Sequence, residues 1–236
     1  MNLSFVIPIF NEEKNIENLV NEIIVSINKI SVEYEIILVN DASQDGTSNK
    51  IKYLKSKFPN KIILINNVYN EGQSYSIVKG INKAKFDTIV TLDGDGQNDP
   101  ADLPKLINKY FEDPMIKFVA GIRADRKDNY IKIITSKIAN NFRKFILKDN
   151  CIDSGCALRI FEKKIFLKLP KFRGLHRFLP ALFKSFKIKT EFINVNHRKR
   201  LFGNSNYGTF RRLIYGIIDI IRVLYIINKI KNDRLP

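Results

Sequence analysis

The chain is poor in cysteine and histidine, with only Cys151, Cys156, His176 and His197 in 236 residues. Two cysteines make no disulfide framework, and their spacing matches no common zinc motif. They read as small core fillers, and a reducing compartment is the default. Neither histidine has a nucleophile beside it in sequence, so both read as structural. No Walker-type lysine loop is present. Gly94-x-Gly96 lacks the third glycine of a dinucleotide fingerprint, and its two acids would repel a pyrophosphate unless a metal intervened. No uninterrupted apolar run reaches the roughly 18–20 residues needed to cross a bilayer. Residues 213–227 come nearest, and Asp219 and Arg222 interrupt them. A strand pattern starts at once, giving the expectation that no signal peptide precedes it.

At 44% hydrophobic and 27% charged residues, the chain can bury a substantial core, and its length suits one α/β domain, alone or with a C-terminal appendage. The formal net charge of +16 favours anionic partners: nucleic acid, acidic lipid headgroups or phosphorylated substrates. Charge alone does not choose among them, and lysine enrichment from base composition would give the same figure.

Strand and helix patterns alternate through the first half. Leu3–Ile9, Glu35–Val39, Lys61–Ile65 and Asp87–Leu92 read as strands. Between them, helices are expected after an Asn11 cap, after Asp45-Gly46-Thr47, and over about Gln73–Ala84. This order predicts a mainly parallel sheet sandwiched by helices, with ligands at the carboxyl ends of the strands. Three polar clusters fall there: Pro8–Glu12, Asn40–Asp45 and Asp93–Gln97. The second half is less regular. Ala101–Phe111 and Tyr130–Leu147 look helical, the latter with Ile131, Ile134, Ile138, Phe142, Phe145 and Ile146 inward. Lys117–Gly121, Leu158–Phe161 and Thr190–Val195 look like strands, Arg198–Gly208 like a polar loop, and Phe210–Ile230 like a strongly apolar helix.

Asp93 and Asp95 flank a glycine just beyond a buried strand. With the Gln97 amide they make an oxygen-rich set suited to Mg²⁺ or Mn²⁺. Such an ion clamps a diphosphate and neutralises the charge gained on leaving. The bland alternative is an acidic turn with no ligand.

Five motifs in order resemble the inverting family 2 glycosyltransferases of GT-A fold, over about residues 3–208. They are Val6-Ile7-Pro8-Ile9-Phe10-Asn11-Glu12-Glu13, Val39-Asn40-Asp41-Ala42-Ser43-Gln44-Asp45-Gly46-Thr47, Asn70-Glu71-Gly72, Asp93–Gln97 and the later set Gly121-Ile122-Arg123, Asp153-Ser154-Gly155-Cys156 and Arg200-Leu201-Phe202-Gly203-Asn204-Ser205. The resemblance is to the dolichol-phosphate mannosyltransferase and polyprenyl-phosphate glycosyltransferase branch. It implies transfer of a hexose from a nucleotide sugar (GDP-mannose or a UDP-hexose) to a polyprenyl or dolichyl phosphate. Pro8, Phe10, Glu12, Val39, Asp41, Asp93, Gly94 and Arg200 would contact the donor, and Asp93, Asp95 and Gln97 would hold the metal. Asp95, Asp153 and Arg123 would be catalytic, and Arg123, Arg126, Ser136 and Arg198 would face the acceptor phosphate. Two positions depart from the family pattern. Asn40 stands where an aspartate is common, and Asn206 where many members have lysine, which leaves donor identity open.

Basic residues crowd the segment from Arg123 to Lys144, either as an acceptor channel or as a solvated helix face. A nucleic-acid-binding module would interleave aromatics with such a patch, whereas this one is mostly Ile and Lys, so no nucleic-acid partner is expected. A transferase acting on a saccharide hydroxyl is the alternative activity, and it would need a general base. The final segment, 209–236, is expected to be an amphipathic helix on an anionic membrane surface, as an appendage to a catalytic domain of 1–208. Asp219 and Arg222 at a bilayer centre would each cost roughly 2.5–3.5 kcal/mol, which favours lying in the interface. The helix packing on the catalytic domain is the competing reading. A peripheral protein on the cytoplasmic face follows, with a separate membrane-anchor protein supplying any deeper attachment.

Overall fold

The computed structural model describes residues 1–124, 141–202 and 209–232, without the side chains of 209–215 and 217. Its elements run β1 (Asn2–Ile9), α1 (Ile16–Ile27), β2 (Glu33–Asn40), α2 (Thr47–Lys57), β3 (Ile62–Asn66), α3 (Gln73–Lys83), β4 (Thr88–Thr91), α4 (Leu103–Phe111) and β5 (Ile116–Arg123). They continue with β6 (Arg159–Glu162), α5 (Lys163–Leu167), α6 (Leu179–Ser185), β7 (Lys189–Val195) and α7 (Thr209–Lys231). Residues 141–147 are also helical.

The strands form one seven-stranded sheet in the order β3-β2-β1-β4-β6-β5-β7. β6 runs antiparallel to β4 and β5, and the other pairings are parallel. A sheet covered on both faces needs strands apolar on both sides. β1 accordingly sends Leu3, Phe5, Ile7 and Ile9 into a core with α1, α2 and α4, and Val6 into the opposite core with α3. From β1 the chain winds outward through β2 and β3, then returns to lay β4 on the other side of β1. This reversal of order is the topological switch at which open α/β sheets bind ligands. The expected architecture of mainly parallel sheet between helices is therefore observed.

Three details differ from the sequence reading, and a fourth matches the competing reading given for the C-terminal helix. Asn11 is not a helix cap. Its backbone is left-handed (φ 56°), its N–H donates to Ser43 Oγ at 3.0 Å, and its side-chain oxygen accepts from Gln44 N at 2.8 Å. It staples the β1 and β2 ends together, and α1 begins only at Ile16. Phe142 and Phe145 point outward, 53% and 81% exposed, while Arg143 is buried against Asp149. The buried ion pair orients that helical stretch. The short helices α5 and α6, with the 3₁₀ turn Leu175–Phe178 before α6, were not anticipated. Finally, α7 packs on the domain. Ile220, Val223, Ile226, Ile227 and Ile230 join the core that contains α3 and α6, and Asp219 pairs with Arg177 at 2.7 Å and Arg222 at 3.2 Å. A second face, with Ile218, Ile221, Leu224 and Tyr225, stays exposed.

Candidate active site

The carboxyl ends of β1, β2, β4, β5 and β7 converge on one edge of the sheet. After β4, the turn carrying Asp93 to Gln97 is held by Asn98, whose side-chain oxygen accepts from Asp93 N at 3.0 Å, and by Asp95 Oδ1, which accepts from Gln97 N at 3.1 Å. Gly94 crosses the end of β1 so closely that a Cβ would stand 3.1 Å from the Pro8 carbonyl oxygen. A side chain there would push the acids away from β1.

Gln73, the first residue of α3, donates its amide to Asp93 Oδ1 at 2.6 Å. Burial pushes the Asp93 carboxyl well above the usual carboxylate range, the Asp95 charge adds to this, and Arg159 and Arg123 oppose it. Glu12 is also raised by burial, against the hydrogen bond from Asn15 and the charge of Arg200. Arg200 bonds Glu12 and lies 3.8 Å from Asp95, bridging two acids of the site. Its Nε is anchored on the Phe202 carbonyl at 2.9 Å.

Across the edge, Arg123 at the end of β5 makes a two-pronged ion pair with Asp153: Nε to Oδ2 at 2.6 Å and Nη2 to Oδ1 at 2.7 Å. The backbone N–H groups of Arg123 and Gly155 also donate to that carboxylate, each at 3.2 Å.

Other expected site residues sit differently. Asp41 is buried and accepts from Asn67 Nδ2 (2.6 Å), Glu71 N (2.9 Å) and Gly72 N (2.9 Å). Its carboxylate thus organises the loop from β3 to α3. Val39 is completely buried in the sheet core and Pro8 is buried within β1, whereas Phe10 is partly exposed. Arg198 does not face the acids near Arg200. Its guanidinium is held between Glu22 and Asp99, each at 2.6 Å. Arg126 and Ser136 lie outside the described residues. Gln97 has neighbours not foreseen: its Nε2 is 3.4 Å from His197 Nε2 and donates to the Arg198 carbonyl at 3.3 Å, through a short bridge between Asn98 and His197. Both cysteines are free and buried, as expected of core fillers.

One buried cation escaped the sequence reading. Arg159, 3% exposed at the start of β6, donates to the carbonyls of His176 and Ser154 (2.8 Å for the latter). It sits inside an apolar strand pattern, and its partners are loop carbonyls, so no local signal marks it.

Solved structures share this fold. Glucosyl-3-phosphoglycerate synthase from Mycobacterium tuberculosis, solved with Mn²⁺, UDP and phosphoglyceric acid, superposes with a TM-score of 0.68 at 15% identity, covering 94% of this chain and 77% of that one. Mannosyl-3-phosphoglycerate synthase from Rubrobacter xylanophilus gives 0.68 at 14% identity, covering 100% and 76%. The fold is that of the GT-A glycosyltransferases. The Glycosyl transferase family 2 model matches residues 4–169, and the chain belongs to that family; it is a glycosyltransferase. Among its relatives, undecaprenyl-phosphate 4-deoxy-4-formamido-L-arabinose transferase of Pectobacterium atrosepticum is 32% identical over 94% of this chain and 67% of its own length. The protein of the same name from Photorhabdus laumondii subsp. laumondii is 33% identical over 94% and 67%.

Proposed function

We propose that this enzyme transfers a sugar from a nucleotide-sugar donor to a polyprenyl phosphate, with inversion and with help from a divalent cation. The observation that carries the reading is the pairing of two half-sites on one sheet edge: the Asp93–Asp95 acids with Arg200, and the Arg123–Asp153 ion pair. The relatives named for undecaprenyl phosphate supply the acceptor class.

The charge arrangement favours a phosphate acceptor over a hydroxyl. A phosphate monoester with a second pKa of about 6 is already largely dianionic at neutral pH and needs little deprotonation. A hydroxyl acceptor needs a base, and Asp153 is a poor one while both its oxygens accept from the Arg123 guanidinium. Arg123 instead brings positive charge toward an incoming anion, with Asp153 and two backbone N–H groups holding it in one orientation. Catalysis then rests on positioning and electrostatics.

A bound Mg²⁺ or Mn²⁺ would be held by Asp95, Asp93 and the Gln97 amide and would stabilise charge on the departing diphosphate. The residues fit such an ion: two carboxylates and an amide oxygen stand on one partly buried turn, and the mutual repulsion that helps raise Asp93 is one a cation relieves. No group of three or more His, Cys, Asp or Glu is poised for a metal among the described residues. Mg²⁺ commonly completes a set of one or two carboxylates with substrate phosphates. Arg200 would move from Glu12 and Asp95 toward donor phosphate.

The exposed face of α7, with Ile218, Ile221, Leu224 and Tyr225 beside Arg222 and Lys229, suits the acyl boundary of an anionic membrane, where the acceptor resides. No described helix is long and apolar enough to cross a membrane. A peripheral position on the cytoplasmic face fits this arrangement. The test is incubation with undecaprenyl phosphate and a panel of nucleotide sugars, with the product identified by mass. The panel includes UDP-pentoses beside GDP-mannose and UDP-hexoses, because the relatives' sugar is an arabinose derivative. A sugar-phosphate-lipid product from one donor supports the reading, and absence of any lipid product counts against it.

A further inference from the structure

Arg159 is a full charge in the interior that has no carboxylate partner within ion-pair distance among the described residues. Its Nε has no hydrogen-bond partner there either. Burying an arginine with no contacting carboxylate is costly, and the more distant charges of Asp93 and Asp153 offset only part of that cost.

Its surroundings show what depends on it. Arg159 stands directly opposite Thr91 in the β4–β6 ladder, so the two side chains share a face of the sheet. Asp93 follows two residues beyond Thr91. One arm of the guanidinium donates to the Ser154 carbonyl, in the turn that presents Asp153 to Arg123. The other donates to the His176 carbonyl. The His176 ring lies 2.7 Å from Ser74 Oγ, and that hydroxyl also accepts from Gly174 N at 2.9 Å. Ser74 follows Gln73, which holds Asp93. The two halves of the site thus join through one guanidinium: Asp93 and Gln73 on one side, Asp153 and Arg123 on the other.

We infer that Arg159 is a positioning residue, a rigid crosspiece that sets the separation between the donor-side acid Asp93 and the acceptor-side pair Arg123–Asp153. The planar fork reaches two carbonyls at once, which a lysine ammonium on a flexible stem does not reproduce. The inference rests on the donor and acceptor roles proposed above.

A crosspiece touches neither substrate, so its loss should appear in turnover and not in binding. A misplacement of about 1 Å away from the chemistry can cost around a hundredfold in rate. Arg159→Met and Arg159→Lys are therefore expected to lower kcat by about tenfold or more. KM for the nucleotide sugar and for undecaprenyl phosphate should each stay within about threefold of wild type, since no contact of uniform binding is removed. Wild-type kcat in folded Arg159→Met, full rescue by lysine, or a change confined to one KM would each overturn the inference. If Arg159→Met does not fold, Ser74→Ala carries the test from the far end of the same chain. A lowered kcat with both KM values kept supports the crosspiece, and a wild-type kcat overturns it. Asp95→Asn and Arg123→Lys run alongside. Should those two retain wild-type kinetics, the underlying donor and acceptor assignments have failed; should they fall while Arg159 variants do not, only the crosspiece has.

Discussion

Gly155→Ala is a small change with a specific consequence. A Cβ at this position would stand 2.7 Å from Arg123 Nη2 and 3.5 Å from Asp153 Oδ1. The nearest atom is the far end of a flexible side chain, so the guanidinium yields and the fold does not. To regain ordinary contact at 3.4 Å it must retreat by roughly 0.7 Å. The paired bonds at 2.6 and 2.7 Å cannot both survive that displacement. Losing one charge-assisted hydrogen bond is worth about 1.5–3 kcal/mol, a tenfold to hundredfold change in an equilibrium. The substitution leaves the Asp153 carboxylate in place. If Asp153 were a general base, Gly155→Ala would spare it or even release it. If Arg123 is the acting group and Asp153 its holder, kcat/KM for the lipid phosphate should fall by about tenfold or more. KM for the nucleotide sugar should stay near wild type, and the melting temperature should fall by only a few degrees. Steady-state kinetics with each substrate varied in turn, beside a thermal melt, measures all three. Wild-type kcat/KM for the acceptor in a folded variant would refute the reasoning.

Further tests address other parts of the site. Chelation should abolish transfer and Mg²⁺ or Mn²⁺ should restore it, while Asp95→Asn should cost about 10²–10³ in kcat, as loss of a key electrostatic group does; full activity in excess chelator would contradict this. Burial, with the charges of Arg159 and Arg177, pushes His176 down to about 3. The folded state therefore holds the neutral ring, and the unfolded state gains a proton first. The resulting stability is complete above about pH 6.5 and is lost toward pH 3 by up to about 1.4 kcal/mol per unit. Asp93, raised to about 7, gives a slope of opposite sign over the same range. The His176 contribution is therefore read as the difference between wild-type and folded His176→Gln urea melts from pH 7.5 to 5, with wild type losing more stability than the variant as pH falls. Replacing Ile221 and Tyr225 with serine should reduce flotation with anionic liposomes without lowering the melting temperature, because both side chains are more than 60% exposed. Unchanged flotation would remove α7 from the membrane reading.

Much of the fold was legible because each early strand is a dense apolar run ending in a polar cluster, a pattern that only a covered parallel sheet explains. The Asp93–Gln97 turn stood out for the same reason: two acids beyond a buried strand are poorly explained as solvation. The less legible parts depend on contacts distant in sequence. Arg198 and Arg200 look equivalent in a basic loop, yet one is tied to Glu22 and Asp99 and the other to Glu12. Asp41 reads as a ligand residue until the N–H groups of Glu71 and Gly72 are seen to meet it. Arg159 gives no sequence signal, since its partners are backbone carbonyls up to 17 residues away. In α7 the apolar residues cover more than one face, so the pattern alone did not divide those packed on the domain from those left exposed.

The central claim is that the acceptor is an anionic phosphate and not a hydroxyl. The most direct measurement offers the enzyme undecaprenyl phosphate, undecaprenol and a saccharide in parallel, with the same donor, and reads products by mass. The account predicts a glycosyl phosphodiester from undecaprenyl phosphate alone. Glycosylated undecaprenol or an extended saccharide, with undecaprenyl phosphate left unmodified, would contradict it.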